Sequence, residues 1–144
     1  MFEFHGWATI RIDDREDPDL DVMRSCENAA ISRLQPVIKN AADNSSFFDV
    51  RRSSNGLIVL SAHGLRNHRY EPVIDLFRWV ASELPFSYGL LYVHDDEDES
   101  RGQDLRNDLR VWRIARGQIT EAADPFLSPF IPTVEPPSEG PIEL

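Results

Sequence analysis

The sequence predicts an α+β protein, with two helices packed on one face of a mainly antiparallel five-stranded sheet in the order β-α-β-β-α-β-β. Three observations carry the prediction. Alternating apolar and polar residues open the chain at Phe2, and β-prone runs recur four times further on. Two segments repeat apolar residues at helical spacing, and Asn55-Gly56 lies between two β-prone runs as a tight-turn signal. Helices set among hairpin-linked strands fit a layered sheet better than a parallel α/β fold.

The first strand is read over 2–12. Its even positions are Phe, Phe, Gly, Ala, Ile and Ile, and its odd positions are Glu3, His5, Trp7, Thr9 and Arg11. The even side faces the core, so Trp7 shares the opposite face with His5, Thr9 and Arg11. Gly6 is expected to permit close packing beneath Trp7. Asp13 to Asp17 form a polar link, Pro18 can open a helix, and residues from Leu20 to Ala41 recur at helical spacing, which gives a helix over 19–42. Pro36 should kink or divide it, because proline removes a backbone donor and crowds the preceding turn.

Phe47 to Arg52 and Leu57 to Ala62 form a hairpin around Ser53-Ser54-Asn55-Gly56. Val73, Leu76, Phe77, Val80 and Leu84 then make the buried stripe of a second helix, with Pro72 in its first turn and Pro85 closing it. Tyr88 to His94 and Leu105 to Ala115 read as the last two strands, with Asp95 to Asp104 connecting them. Six of the ten prolines lie at or beyond Pro125. Residues 119–144 are therefore expected to be an extended strap with neither regular helix nor central strand.

A length of 144 residues with 41% apolar content fits one domain, 1–144, able to bury a core without metal or disulfide. The lone Cys26 has no partner for a bridge. Met1-Phe2-Glu3 lacks the basic start and long apolar run of an export signal, so the expected location is the cytoplasm. No run approaches the roughly 18 apolar residues that span a bilayer, and membrane association is not expected.

The net charge of −10 is local. Asp13 to Glu27 holds seven acids against Arg15 and Arg24, and Asp95 through Glu99 adds five more, while the rest sums to zero. Nucleic acid is a poor partner for such a chain, because phosphate binding draws on clustered Lys and Arg. A basic protein is a better one. The acids before the first helix also have a capping role available to them, and sequence cannot place them beside the second acidic run.

Asp95, Asp96, Glu97, Asp98 and Glu99 do not make a calcium loop. Placing Gly102 as the sixth-position glycine puts Arg101 at a ligand position, where a cation is wrong. Two readings of the run stay open: a solvated connector, or an electrostatic lure for a basic partner. Of the four histidines, His5, His63, His68 and His94, only His63 and His68 are close in sequence, and no cysteine or fixed carboxylate lies at metal-ligand spacing. Cys26 has no nearby histidine, and there is no phosphate-binding loop, dinucleotide turn or nucleophile elbow. No cofactor is expected. Trp7 is either buried by Phe126, Leu127, Phe130 and Ile131 of the tail or left open as an anchor, since Trp and Arg dominate binding hot spots. Trp112 reads as core.

His5-Gly6-Trp7, Asp124-Pro125-Phe126-Leu127-Ser128-Pro129 and Ile131-Pro132-Thr133, together with the order of elements between them, resemble the immunity protein 7 family of bacterial polymorphic toxin systems. The resemblance implies a non-catalytic inhibitor that binds and neutralises a cognate toxin domain by occlusion. The acidic charge suggests a basic toxin such as a nuclease. Asp95, Asp96, Glu97, Asp98 and Glu99 are the expected steering residues, with Trp7 or Arg11 as anchor. The alternatives are a small enzyme with a pocket between sheet and strap, and an accessory domain that mediates assembly.

Overall fold

A computed structural model describes residues 1–13, 19–99 and 101–138. Six strands form one antiparallel sheet: β1 (Phe2–Thr9), β2 (Ser46–Arg52), β3 (Ile58–Arg66), β4 (Tyr88–Asp95), β5 (Leu109–Ala115) and β6 (Gln118–Ala123). Their order across the sheet is β2-β3-β1-β4-β5-β6. The first strand to be made is thus central, and both hairpin neighbours add outward from it. Three helices complete the α+β architecture: α1 (Leu20–Ala41), α2 (Glu71–Glu83) and a single turn, α3 (Phe130–Thr133).

The alternation in β1 decides which face is covered. Phe2, Phe4 and Ala8 are fully buried beside Leu60 and Ala62 of β3 and Leu91 and Val93 of β4. Against them pack Leu34 and Ile38 of α1 and Val73, Ile74, Leu76, Phe77 and Val80 of α2. Trp112 is in this core, as its position on β5 predicts. Gly6 faces the same side, where a Cβ would meet the Phe77 ring at 2.6 Å and Leu91 at 2.8 Å. Its role is to admit a helix ring onto the central strand; the space beneath Trp7 is not what it serves.

Several expectations need correction. The sheet has six strands, because Arg116-Gly117 turns the chain and Gln118–Ala123 pairs with β5. The extended tail therefore does not begin at residue 119. Residues 124–138 follow as a loop that contains the α3 turn, whose Ile131 departs from helical angles. Strand β5 begins at Leu109 and not Leu105, and β1 ends at Thr9.

Helix α1 continues through Pro36 to Ala41. One missing N–H costs less than the burial that Leu34, Ile38 and Ala41 gain on either side of it. Asp19 caps this helix by accepting from the Asp21 and Val22 amides. Residues 14–18, which include Pro18 and the polar link beyond Asp13, lie outside the described residues. The β2–β3 turn closes with the Ser53 amide on the Leu57 carbonyl at 2.8 Å, and Gly56 takes φ +89°.

Candidate functional site

The second face of the sheet is not covered by α1 or α2, and what it carries defines the candidate site. Odd residues of β1 and their partners line it. Trp7 is 39% exposed and meets Tyr88, itself 44% exposed, edge to face at 6.1 Å. Gly89 holds β4 against β1 here, since a Cβ on it would collide with the Trp7 carbonyl. Tail residue Phe130 does touch this face, but at its other end, where it stacks on His94. The tail thus leaves Trp7 open, and Phe126 of the tail stays exposed.

The proposed steering and anchoring residues lie at opposite ends of the strands. Trp7 is in register with Leu90, whereas Asp95 is in register with Phe2. Five residues of extended chain separate the two, about 17 Å at about 3.3 Å per residue. Arg11 is further out, its backbone amide donating to Ser87 Oγ at 3.0 Å just before β4 begins.

The acidic run divides by role. Asp95 and Asp98 are each only 3% exposed. Arg69 donates to Asp95 at 3.3 Å, and Arg101 donates to both Asp98 oxygens at 3.2 and 2.7 Å. Arg101 also reaches both oxygens of Glu121 on β6, at 2.5 and 2.7 Å, and Arg110 adds a third bond to that carboxylate at 3.0 Å. These carboxylates tie the long β4–β5 connection to the sheet.

Asp96, Glu97 and Glu99 face solvent. The amino terminus donates to Asp96 at 2.5 Å, a bond that raises the ammonium pKa above its ordinary value. A hydrogen bond from His68 at 2.9 Å holds the Glu97 carboxyl below its usual range. Glu99 lies 3.6 Å from Arg106. All three are accessible to a partner.

Histidine contacts follow the sheet and not the sequence spacing. His63 Nδ1 lies 2.9 Å from His5 Nδ1 across the β1–β3 pair, while His68 serves Glu97. Burial first, and the neighbouring His5 second, lower the His63 pKa, which keeps that ring neutral near pH 7. Among the described residues no group of three or more His, Cys, Asp or Glu is placed to hold a metal ion. No described helix is long and apolar enough to cross a membrane.

Sequence reasoning missed Arg116, Phe86 and Arg113. Arg116, at the tip of the β5–β6 hairpin, lines a cleft with Arg11, Phe86 and Tyr88, and Arg113 joins Arg116 along the adjoining groove. The signal was the Arg116-Gly117 dipeptide. A glycine preceded by a residue other than Asn or Asp is a weak hairpin mark.

A layered α+β domain with one sheet face open, aromatic and flanked by arginines has the composition of a protein-binding module. The chain belongs to the immunity protein 7 family, whose sequence pattern matches residues 1–136. No curated protein and no solved structure matches it.

Proposed function

We propose that this chain is the cytoplasmic immunity partner of a bacterial toxin domain and silences it by binding, with no chemistry of its own. Membership of the immunity protein 7 family over residues 1–136 carries the reading. The open face of the sheet gives it a place to act. Trp7 and Arg11 anchor the toxin at one end, and the acidic run 95–99 attracts it from the other through Asp96, Glu97 and Glu99. Eight residues of β1 span about 26 Å, and an interface of about 800 Å² per partner reaches both ends.

The charge of −10 favours a basic toxin, and a nuclease is the class for which carboxylates best take the place of phosphates. Occlusion of its active or substrate-binding surface then suffices for neutralisation. Co-expression with the cognate toxin domain tests the proposal. Growth should be restored, and the two proteins should elute together in equal amounts. Persistent toxicity with a folded, well-expressed chain would refute it, as would turnover of a substrate by the purified protein.

A further inference from the structure

Nine of the described Arg and Lys side chains are held in ion pairs within the chain: Arg33, Arg51, Arg52, Arg66, Arg69, Arg78, Arg101, Arg106 and Arg110. Among the described residues Arg11, Arg24, Lys39, Arg113 and Arg116 have no such partner, although the chain carries an excess of carboxylates. Arg24 and Lys39 are on α1, whereas Arg11, Arg113 and Arg116 gather at the Trp7 end of the sheet. Arg11 and Arg116 line one cleft over Phe86 and Tyr88, and Arg113 and Arg116 line the next. Phe86 is 43% exposed there. Guanidiniums are weakly hydrated, stack on aromatic rings and match carboxylates with a rigid fork, so this grouping is suited to a desolvated contact.

The backbone adds an independent observation. Ala115 and Gln118 close a two-residue hairpin whose central residues, Arg116 and Gly117, have φ of 53° and 77°. A turn with both central angles positive favours Asn-Gly, and an arginine at the first position is strained. Asparagine would fold this turn more easily. The strain sets a long cation at the tip, beside the unpaired Arg11.

We infer that the Arg11–Arg116 cleft is the anchoring site for an acidic segment of the toxin, with its carboxylates on the guanidiniums and its apolar side chains on Trp7, Phe86 and Tyr88. The inference rests on the immunity reading and gives it a polarity. The partner is cationic where it meets Asp96, Glu97 and Glu99, and anionic where it meets the cleft, so only one orientation satisfies both ends. Nucleic acid fits the cleft less well, because the acidic remainder of the chain repels a continuous phosphate backbone.

Arg116→Asn separates structure from binding. It should leave the melting temperature equal or higher, because it relieves the turn, while weakening the calorimetric Kd for the cognate toxin domain about tenfold. Arg11→Gln added to it should weaken binding about a hundredfold with unfolding unchanged. A double variant that unfolds like the parent and binds within twofold of it overturns the site but not the immunity reading. A parent protein that fails to bind the toxin domain overturns both. Binding of a single-stranded oligonucleotide by the parent, lost in the double variant, would also overturn the proposal, because it would assign the cleft to phosphate.

Discussion

The Phe130 ring lies flat on His94, with centroids 3.8 Å apart and planes 15° from parallel. The surrounding contacts explain why the tail stops there. The Phe130 amide donates to the Asn107 carbonyl at 2.7 Å, and the Asn107 side chain brackets Ile131 through bonds of 2.8 and 3.0 Å to its amide and carbonyl. Ser128 does the same for Leu109, and Asp124 accepts from the Phe126 and Leu127 amides. The Asp-Pro-Phe-Leu-Ser-Pro segment is thus a fastening to the start of β5. It covers His94 and spares Trp7.

Phe130→Ala should cost about 1–2 kcal/mol, since a half-buried ring and its stacking contact are lost. His94→Phe should cost less. It keeps a ring beneath Phe130 and removes a buried Nδ1 that has no hydrogen-bond partner among the described residues, at the expense of one bond to the Arg106 carbonyl. Urea unfolding of both variants checks the order. Equal losses would mean that the imidazole matters for more than its shape.

Gly6→Val places two methyl groups where even a Cβ already meets Phe77 at 2.6 Å and Leu91 at 2.8 Å. The strand is central and the helix is packed by its neighbours, so neither can withdraw freely. We expect a loss of about 1–3 kcal/mol. Adding Phe77→Leu should recover part of it, and thermal unfolding of the single and double variants reads this coupling directly. Unchanged stability of Gly6→Val would show that α2 yields.

Arg101 links the buried Asp98 to Glu121, and its removal should be felt in pH as well as stability. Burial pushes the Glu121 carboxyl up, but hydrogen bonds from Arg101 and Arg110 outweigh it and leave it below its ordinary 4.5. A carboxyl with a lower pKa folded than unfolded binds fewer protons when folded. Its contribution is therefore full above pH about 4.5 and fades as pH falls through the folded value. Arg101→Met should cost about 2–3 kcal/mol at neutral pH, below the range for a fully buried pair because Arg101 is partly exposed. Urea midpoints taken from pH 7 to pH 3 should fall less steeply below pH 4.5 than those of the parent.

How much of this was legible in the sequence depended on how local each signal was. The β1 alternation, the α2 stripe and the Asn55-Gly56 turn are periodic or steric, and a short window contains them. Strand β6 was hidden because its mark, Arg116-Gly117, breaks the usual turn chemistry and because the prolines beyond Pro125 drew the tail boundary too early. Beyond the β2–β3 hairpin, pairing across the sheet was not readable. His5 meets His63 and Arg101 meets Glu121 only because the strand order is β2-β3-β1-β4-β5-β6. The same is true of the acidic run, whose five neighbouring carboxylates divide into two buried and three exposed by the path of one connection.

That division sets the last test. Replacing all five acids would mix a folding defect with a binding effect, since Asp95 and Asp98 are buried on Arg69 and Arg101. The discriminating variant is Asp96→Asn with Glu97→Gln and Glu99→Gln, which changes only exposed groups. It should unfold within about 0.5 kcal/mol of the parent, as surface changes usually do. Association with the toxin should slow about tenfold at low salt, and the dependence of the rate on ionic strength should flatten, because steering acts over a Debye length of about 10 Å at 0.1 M. Dissociation should change little, since the proposed anchor is at the Trp7 end. Stopped-flow rates that match the parent at every salt concentration would leave residues 95–99 a fastening of the fold alone.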